Sequence, residues 1–261
     1  MDPEPPPAWA VGLLNEKPLH AALKAWYAEP GDRFEVPVDG YLIDIVRGDL
    51  LVEIQTRGLV ALRSKLESIL EAHRVRVVLP IAAEKWVVRL SQDVPEPLGR
   101  RKSPIRGSMA DLFCELVSFP RLVACPGFSL EVLLIHEEEA RRQGLGRNWR
   151  RRGWGTAERR LLSVVDRRVV ETAADLAALI PSALPEPFTT AQLAQAIDRP
   201  LPTAQKMAYC LRHLGVIMPV GKEGKAVRYV RAPQGTEPTG SRRGTPGRCA
   251  GDDTGLTAPA S

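Results

Sequence analysis

The stretch Tyr41-Leu42-Ile43-Asp44-Ile45-Val46-Arg47-Gly48-Asp49-Leu50-Leu51-Val52-Glu53-Ile54-Gln55 decides how this chain folds. Two runs of β-branched and aliphatic residues flank Gly48-Asp49, and glycine at the first central position suits a two-residue type II′ turn. In that register Asp44 lies directly across from Glu53, and Gln55 shares their face. Alternation groups Leu42, Asp44, Val46, Leu51, Glu53 and Gln55 on one side, with Ile43, Ile45, Val52 and Ile54 on the other. Two opposed carboxylates among apolar neighbours repel and resist desolvation, so they call for a cation or a shared proton. Mg²⁺ or Mn²⁺ meets that need, since such ions are held by one or two carboxylates and can activate water for attack on phosphorus. A solvated sheet edge is the plainer alternative.

Working outward, residues 14–27 place Leu19, Ala22, Leu23 and Trp26 at helical spacing, and Glu29-Pro30-Gly31-Asp32 ends the pattern. Residues 34–38 form a first strand, joined to the second by the turn pair Asp39-Gly40. After the hairpin, Leu59, Leu62, Leu66, Ile69 and Leu70 mark a helix over 58–73, and residues 74–80 read as a buried strand. A short strand over 85–90 follows. Residues 92–108, rich in Pro, Gly and Arg, read as a loop, residues 109–117 as a helix, and residues 129–136 and 160–170 as strands. The order is that of an α/β fold with a mixed sheet.

Helix, three-stranded meander with Asp on the second strand and Glu-x-Gln on the third, then helix and strand: this arrangement resembles the PD-(D/E)XK nuclease superfamily. Ile43-Asp44-Ile45 and Val52-Glu53-Ile54-Gln55 carry the resemblance, which covers residues 14–90. It implies a restriction-endonuclease-like sheet flanked by helices, with Asp44, Glu53 and Gln55 as catalytic residues. Asp44 and Glu53 would hold the metal, and Glu16 on the first helix would add an acidic ligand, although a glutamate there also simply complements the helix dipole. Gln55 stands where the family most often has lysine, removing a cation that stabilises transition-state charge. Lys65 could supply that charge or be a solvated surface residue. Many enzymes of this fold are dimers, so a homodimer is a further possibility that the resemblance brings.

From residue 173 the pattern changes to short helices. Thr189-Thr190 opens one helix, Arg199-Pro200-Leu201-Pro202 turns the chain, and Thr203 begins a second that Gly215 ends. Ala204, Met207, Ala208, Leu211 and Leu214 form its inward stripe, leaving Thr203, Gln205, Lys206, Tyr209 and Arg212 outward. A hairpin with its turn at residues 221–225 follows. This unit resembles a winged helix, which implies DNA contacts from Gln205, Lys206, Tyr209, Lys222, Lys225 and Arg228. Winged helices also serve as protein-interaction modules.

The chain carries a formal net charge of +5. Eight arginines lie between Arg141 and Arg160 against one acid, Glu158. Arg147, Arg150, Arg151 and Arg152, interleaved with Trp149, Trp154 and glycines, suit phosphate contact with stacking, or else a solvated loop tip. His136-Glu137-Glu138-Glu139 does not read as a metal cluster, because neighbouring strand residues point to opposite faces. The four scattered cysteines give neither a zinc pattern nor a disulfide framework.

No apolar run is long enough for a bilayer span, and the acidic, proline-rich start lacks the marks of a signal peptide, so a cytoplasmic protein is expected. The expected layout is a flexible N-terminus (1–13), a nuclease-like domain (14–172) with an arginine-rich insertion (141–160), a winged helix (173–232) and a disordered tail (233–261). The leading functional expectation is a Mg²⁺-dependent DNA endonuclease or nuclease-like DNA-processing protein. The alternatives are a non-catalytic DNA-binding regulator on a nuclease-fold scaffold, and a protein-interaction adaptor.

Overall fold

A computed structural model describes residues 17–56, 58–90, 97–143 and 153–233. The N-terminal segment through Glu16, the arginines from Arg147 to Arg152 and the tail beyond Pro233 lie outside the described residues. The architecture is mixed α/β, with a large mixed sheet.

Contacts divide the chain into two interleaved units, residues 1–58, 75–112 and 129–170 against 59–74, 113–128 and 171–261. The first holds helix α1 (Pro18–Tyr27) and strands β1 (Arg33–Val38), β2 (Tyr41–Arg47) and β3 (Leu50–Ile54). Strands β4 (Arg74–Leu90), β5 (Pro97–Lys102), β6 (Phe128–Gln143) and β7 (Trp154–Val170) complete its sheet. The spatial order is β1-β2-β3-β4-β6-β7, with β5 paired to β4.

The meander forms as its turns dictate. Asp39 and Gly40 both take positive φ (49° and 81°), while Gly48 alone does so at the next turn (59°), as a type II′ turn asks of its first central residue. The register Ile45↔Val52, Val46↔Leu51, Arg47↔Leu50 is the one expected. Leu19, Leu23 and Tyr27 repeat every four residues along α1, so they form one stripe. That stripe packs on Ile45, Val52, Ile54, Val78, Leu133 and Ile135, with Leu161 and Val164 at the margin. The C-terminal end of α1 is fixed by polar bonds. Tyr27 donates its hydroxyl to Glu131 at 2.6 Å, and burial first, then that carboxylate, pushes the phenol up to about 12. Arg47 donates to the Tyr27 carbonyl at 2.8 Å and to both carboxylate oxygens of Asp32.

Four strands of the large sheet differ from the sequence reading. The runs at 74–80 and 85–90 are one strand, because extended backbone accommodates the fixed φ of Pro80. Pro80 falls between Val78, whose carbonyl accepts the Gln55 amide, and Trp86–Leu90, which pair with β5. Strand β5 occupies part of the expected loop. It lacks apolar alternation because it is held by charge on aromatic: Arg100 and Lys102 each lie 5.2 Å from the Trp86 ring centre. Strands β6 and β7 reach well into the arginine tract, where Glu137, Glu138 and Glu139 stand opposite Leu161, Arg160 and Arg159, and Arg159 pairs with Glu137 while Arg160 pairs with Glu158. Of the expected insertion, 141–143 and 154–160 therefore belong to strands β6 and β7.

In the second unit, a 3-10 turn at Leu59–Leu62 leads into α2 (Arg63–Ile69), and α3 (Phe113–Leu116) follows. The Leu59 amide donates to Glu115 at 2.9 Å, and the Arg63 guanidinium lies over Phe119. From 171 onward come α4 (Ala173–Ala177), β8 (Phe188–Thr189), α5 (Thr190–Ala196), α6 (Leu201–His213), β9 (Ile217–Glu223) and β10 (Ala226–Arg231). Capping boxes start α4 at Thr172 and Asp175, and α5 at Thr189 and Gln192. The small sheet runs β8-β10-β9. Its hairpin closes at Gly224-Lys225, tighter than the expected five-residue turn, because Gly221 is absorbed beside a bulge instead of ending the strand. Thr203, expected outward, is buried with its hydroxyl 3.9 Å from Cys114 Sγ.

Leu133 is fully enclosed beneath α1. Leu133→Ala should cost about 2–5 kcal/mol in urea unfolding, the usual range for such a cavity; a loss under about 1 kcal/mol would show that the α1 face is not the core of this unit.

Candidate functional site

The acidic residues converge where β2 and β3 meet beneath α1. One step beyond the pair Ile45↔Val52, the Ile54 amide donates to Asp44 Oδ2 at 2.8 Å, and the Asp44 amide lies 3.4 Å from Glu53 Oε1. Glu53 is only 5 % exposed. On the other side of β2, the pairs Phe34↔Ile45 and Val36↔Ile43 bracket Glu35 and Asp44, which therefore oppose each other. Glu35, Asp44 and Glu53 thus form an acidic row across three adjacent strands. Glu35 holds a positive φ of 52°, a costly conformation for a residue with a Cβ.

Two basic side chains of α1 meet this row. His20 Nε2 is 3.1 Å from Asp44 Oδ2, and Lys24 Nζ donates to Glu35 Oε1 at 2.7 Å. One turn apart and next to the apolar stripe, His20 and Lys24 reach the carboxylates when Leu19 and Leu23 enter the core. Burial pushes the Asp44 carboxyl up, but the His20 bond and charge, the Ile54 amide and the Lys24 charge outweigh it and hold the group below its ordinary range. Sequence reasoning missed both residues. The signal was there, since positions 20 and 24 flank the stripe at its own spacing.

Gln55 does not join the row: its side-chain amide donates to the Gly58 carbonyl at 2.8 Å and closes the end of β3. Glu16 and the arginines at 147, 150, 151 and 152 lie outside the described residues. As arranged, the side chains do not fit a divalent ion. Asp44 Oδ2 already takes an amide and an imidazole, and among the described residues no three His, Cys, Asp or Glu side chains gather at ligating distance.

A second polar cluster lies along β4, β6 and β7. Glu137, fully buried, is 2.9 Å from Lys85 and takes two bonds from Arg159 at 3.0 and 2.5 Å. Glu139 accepts from Lys85 at 3.0 Å, Arg141 at 2.8 Å and Thr156 at 2.7 Å. Burial raises its pKa but these three donors prevail and bring it to about 2. Arg159 also donates to the Thr56 carbonyl, tying this network to the end of β3. His136 points to the opposite face, toward Trp86 and Glu84, so consecutive residues do separate as expected.

In the second unit, α6 buries Ala204, Met207, Ala208 and Leu211 and leaves Gln205 and Arg212 exposed. Lys206 and Tyr209 are half-buried, the latter with its ring tilted against His213, centres 4.3 Å apart. Lys222 and Lys225 are exposed at the hairpin end, whereas Arg228 is half-buried and 4.0 Å from Glu223.

Residues 17–171 match the domain of unknown function DUF8091, and the chain belongs to that family. It is also 32% identical over 232 residues, 86% of this chain and 89% of the other, to an uncharacterized protein of Treponema pallidum (strain Nichols). No solved structure matches. No helix among the described residues is long and apolar enough to cross a membrane.

The Asp44 carboxyl, followed by NMR, should titrate below the ordinary value of about 3.9, and His20→Ala should move its midpoint upward by leaving burial less opposed. With the folded pKa depressed, the stabilisation from Asp44 is complete above the unfolded pKa and is lost as pH falls through the folded one. The stability gap between the wild type and Asp44→Asn should therefore be present at pH ~5 and shrink below pH ~4. A midpoint unmoved by His20→Ala would contradict this geometry.

Proposed function

We propose that the protein binds duplex DNA through residues 173–232 acting as a winged helix, and that the large sheet is a PD-(D/E)XK-like scaffold whose acidic row is balanced within the chain. The observation that carries the DNA reading is the exposure of Gln205 and Arg212 on α6 together with Lys222 and Lys225 on the hairpin. A recognition helix and a wing would use those positions for base edges and phosphates. Residues 173–233 carry seven lysines and arginines against four acids, a surplus in keeping with a polyanionic partner. The order α1-β1-β2-β3-α2-β4, with β1 to β4 as sheet neighbours, supports the nuclease-like scaffold. His20 on Asp44, Lys24 on Glu35 and Gln55 on Gly58 favour a scaffold that does not cleave.

A second reading, a Mg²⁺- or Mn²⁺-dependent nuclease, draws on the depressed Asp44 carboxyl beside the buried Glu53. It requires His20 to release Asp44.

Anisotropy titrations with a labelled duplex should give an affinity that falls with salt. Lys222→Ala with Lys225→Ala should lower the slope of log K against log salt by about two, one for each phosphate no longer neutralised. Absence of salt-dependent binding would overturn the proposal. Plasmid, linear and branched DNA incubated with Mg²⁺, Mn²⁺ or EDTA should stay intact; cleavage abolished by both Asp44→Ala and Glu53→Ala would establish the nuclease instead.

A further inference from the structure

Strand β7 ends the large sheet, and one of its edges faces away from β6. Such an edge presents main-chain donors and acceptors that can template another strand. Its register with β6 assigns each residue a face. Arg159, Leu161, Val164 and Arg167 lie with the α1 side, opposite Glu139, Glu137, Ile135 and Leu133. Glu158, Arg160, Ser163, Asp166 and Arg168 lie on the other face, opposite Ala140, Glu138, His136, Leu134 and Val132. Register shifts drop Leu162 and Val165 out of the ladder, and both are 47 % exposed on either side of Ser163.

The polar row on the outer face reads acid, base, serine, acid, base. Run antiparallel against itself about Ser163, it sets Glu158 and Arg160, which pair with each other within the strand, against Arg168 and Asp166 respectively, each twice by symmetry. An isologous two-fold contact needs this self-complementarity. On the α1 side the same register opposes Arg159 and Arg167, but each is already next to its own acid, Glu137 at 2.5 Å and Glu131 at 3.8 Å. We infer that β7 is a homodimer interface, in which the partner is a second copy of this chain whose β7 continues the sheet antiparallel about Ser163, with Leu162 and Val165 covered at its centre.

Sedimentation equilibrium at tens of micromolar tests this. The wild type should show twice the chain mass of 28.7 kDa. Asp166→Arg sets arginine against Arg160 twice and should weaken the dimer about tenfold or more, on the scale of cross-strand charge pairs. Arg160→Asp combined with Asp166→Arg restores opposite charges and should restore the dimer. That double variant decides the matter even if the single one folds poorly, because rescue supports the interface and a monomer contradicts it. A monomeric wild type, or a dimer indifferent to Asp166→Arg, would overturn the inference. DNA affinity can be scored on the same variants, so failure of the dimer is distinguishable from failure of DNA binding.

Discussion

The bond network at Asp44 is the constraint from which much of the sheet unit follows. A carboxylate in the seam between two strands beneath a helix must find donors, because an unpaired buried charge costs several kcal/mol. The Ile54 amide supplies one donor from the neighbouring strand, and His20 supplies another from the helix above. With Lys24 on Glu35, α1 is positioned by polar bonds on one flank and by Leu19, Leu23 and Tyr27 along the core. Its register over the sheet is thus fixed by two kinds of interaction that agree.

A similar logic governs the far side of the sheet. Glu137 and Glu139 are buried next to Lys85, Arg141 and Arg159, which lets β6 and β7 run beyond the apolar core without leaving charge unpaired. The network does not require an exogenous ion. What reads in the sequence as a free arginine tract is, over its described part, half of a cross-strand charge ladder.

Much of the fold is legible in the residues themselves. The Gly48-Asp49 turn set the Asp44 and Glu53 register, and Thr189-Thr190 marked the start of a helix in the second unit, because turn and cap chemistry act over a few positions. The partners of Asp44 were not legible. His20 lies 24 residues away, and only the packing angle of α1 brings it to β2. Strand β5 escaped notice since its pairing rests on Trp86 in another strand, and Gln55 turned to Gly58 for a local carbonyl that no pattern announces. The grouping of 59–74 with 113–128 and the C-terminal segment depends likewise on distant bonds such as Leu59 to Glu115.

The carboxylate of Asp44 is satisfied from within the chain. A double-mutant cycle with His20→Ala and Asp44→Asn, followed by urea unfolding near pH 6, measures that directly. The expected coupling is about 1 kcal/mol or more, as for a partly buried charge-assisted bond. Additive effects, with no coupling between the two positions, would contradict it.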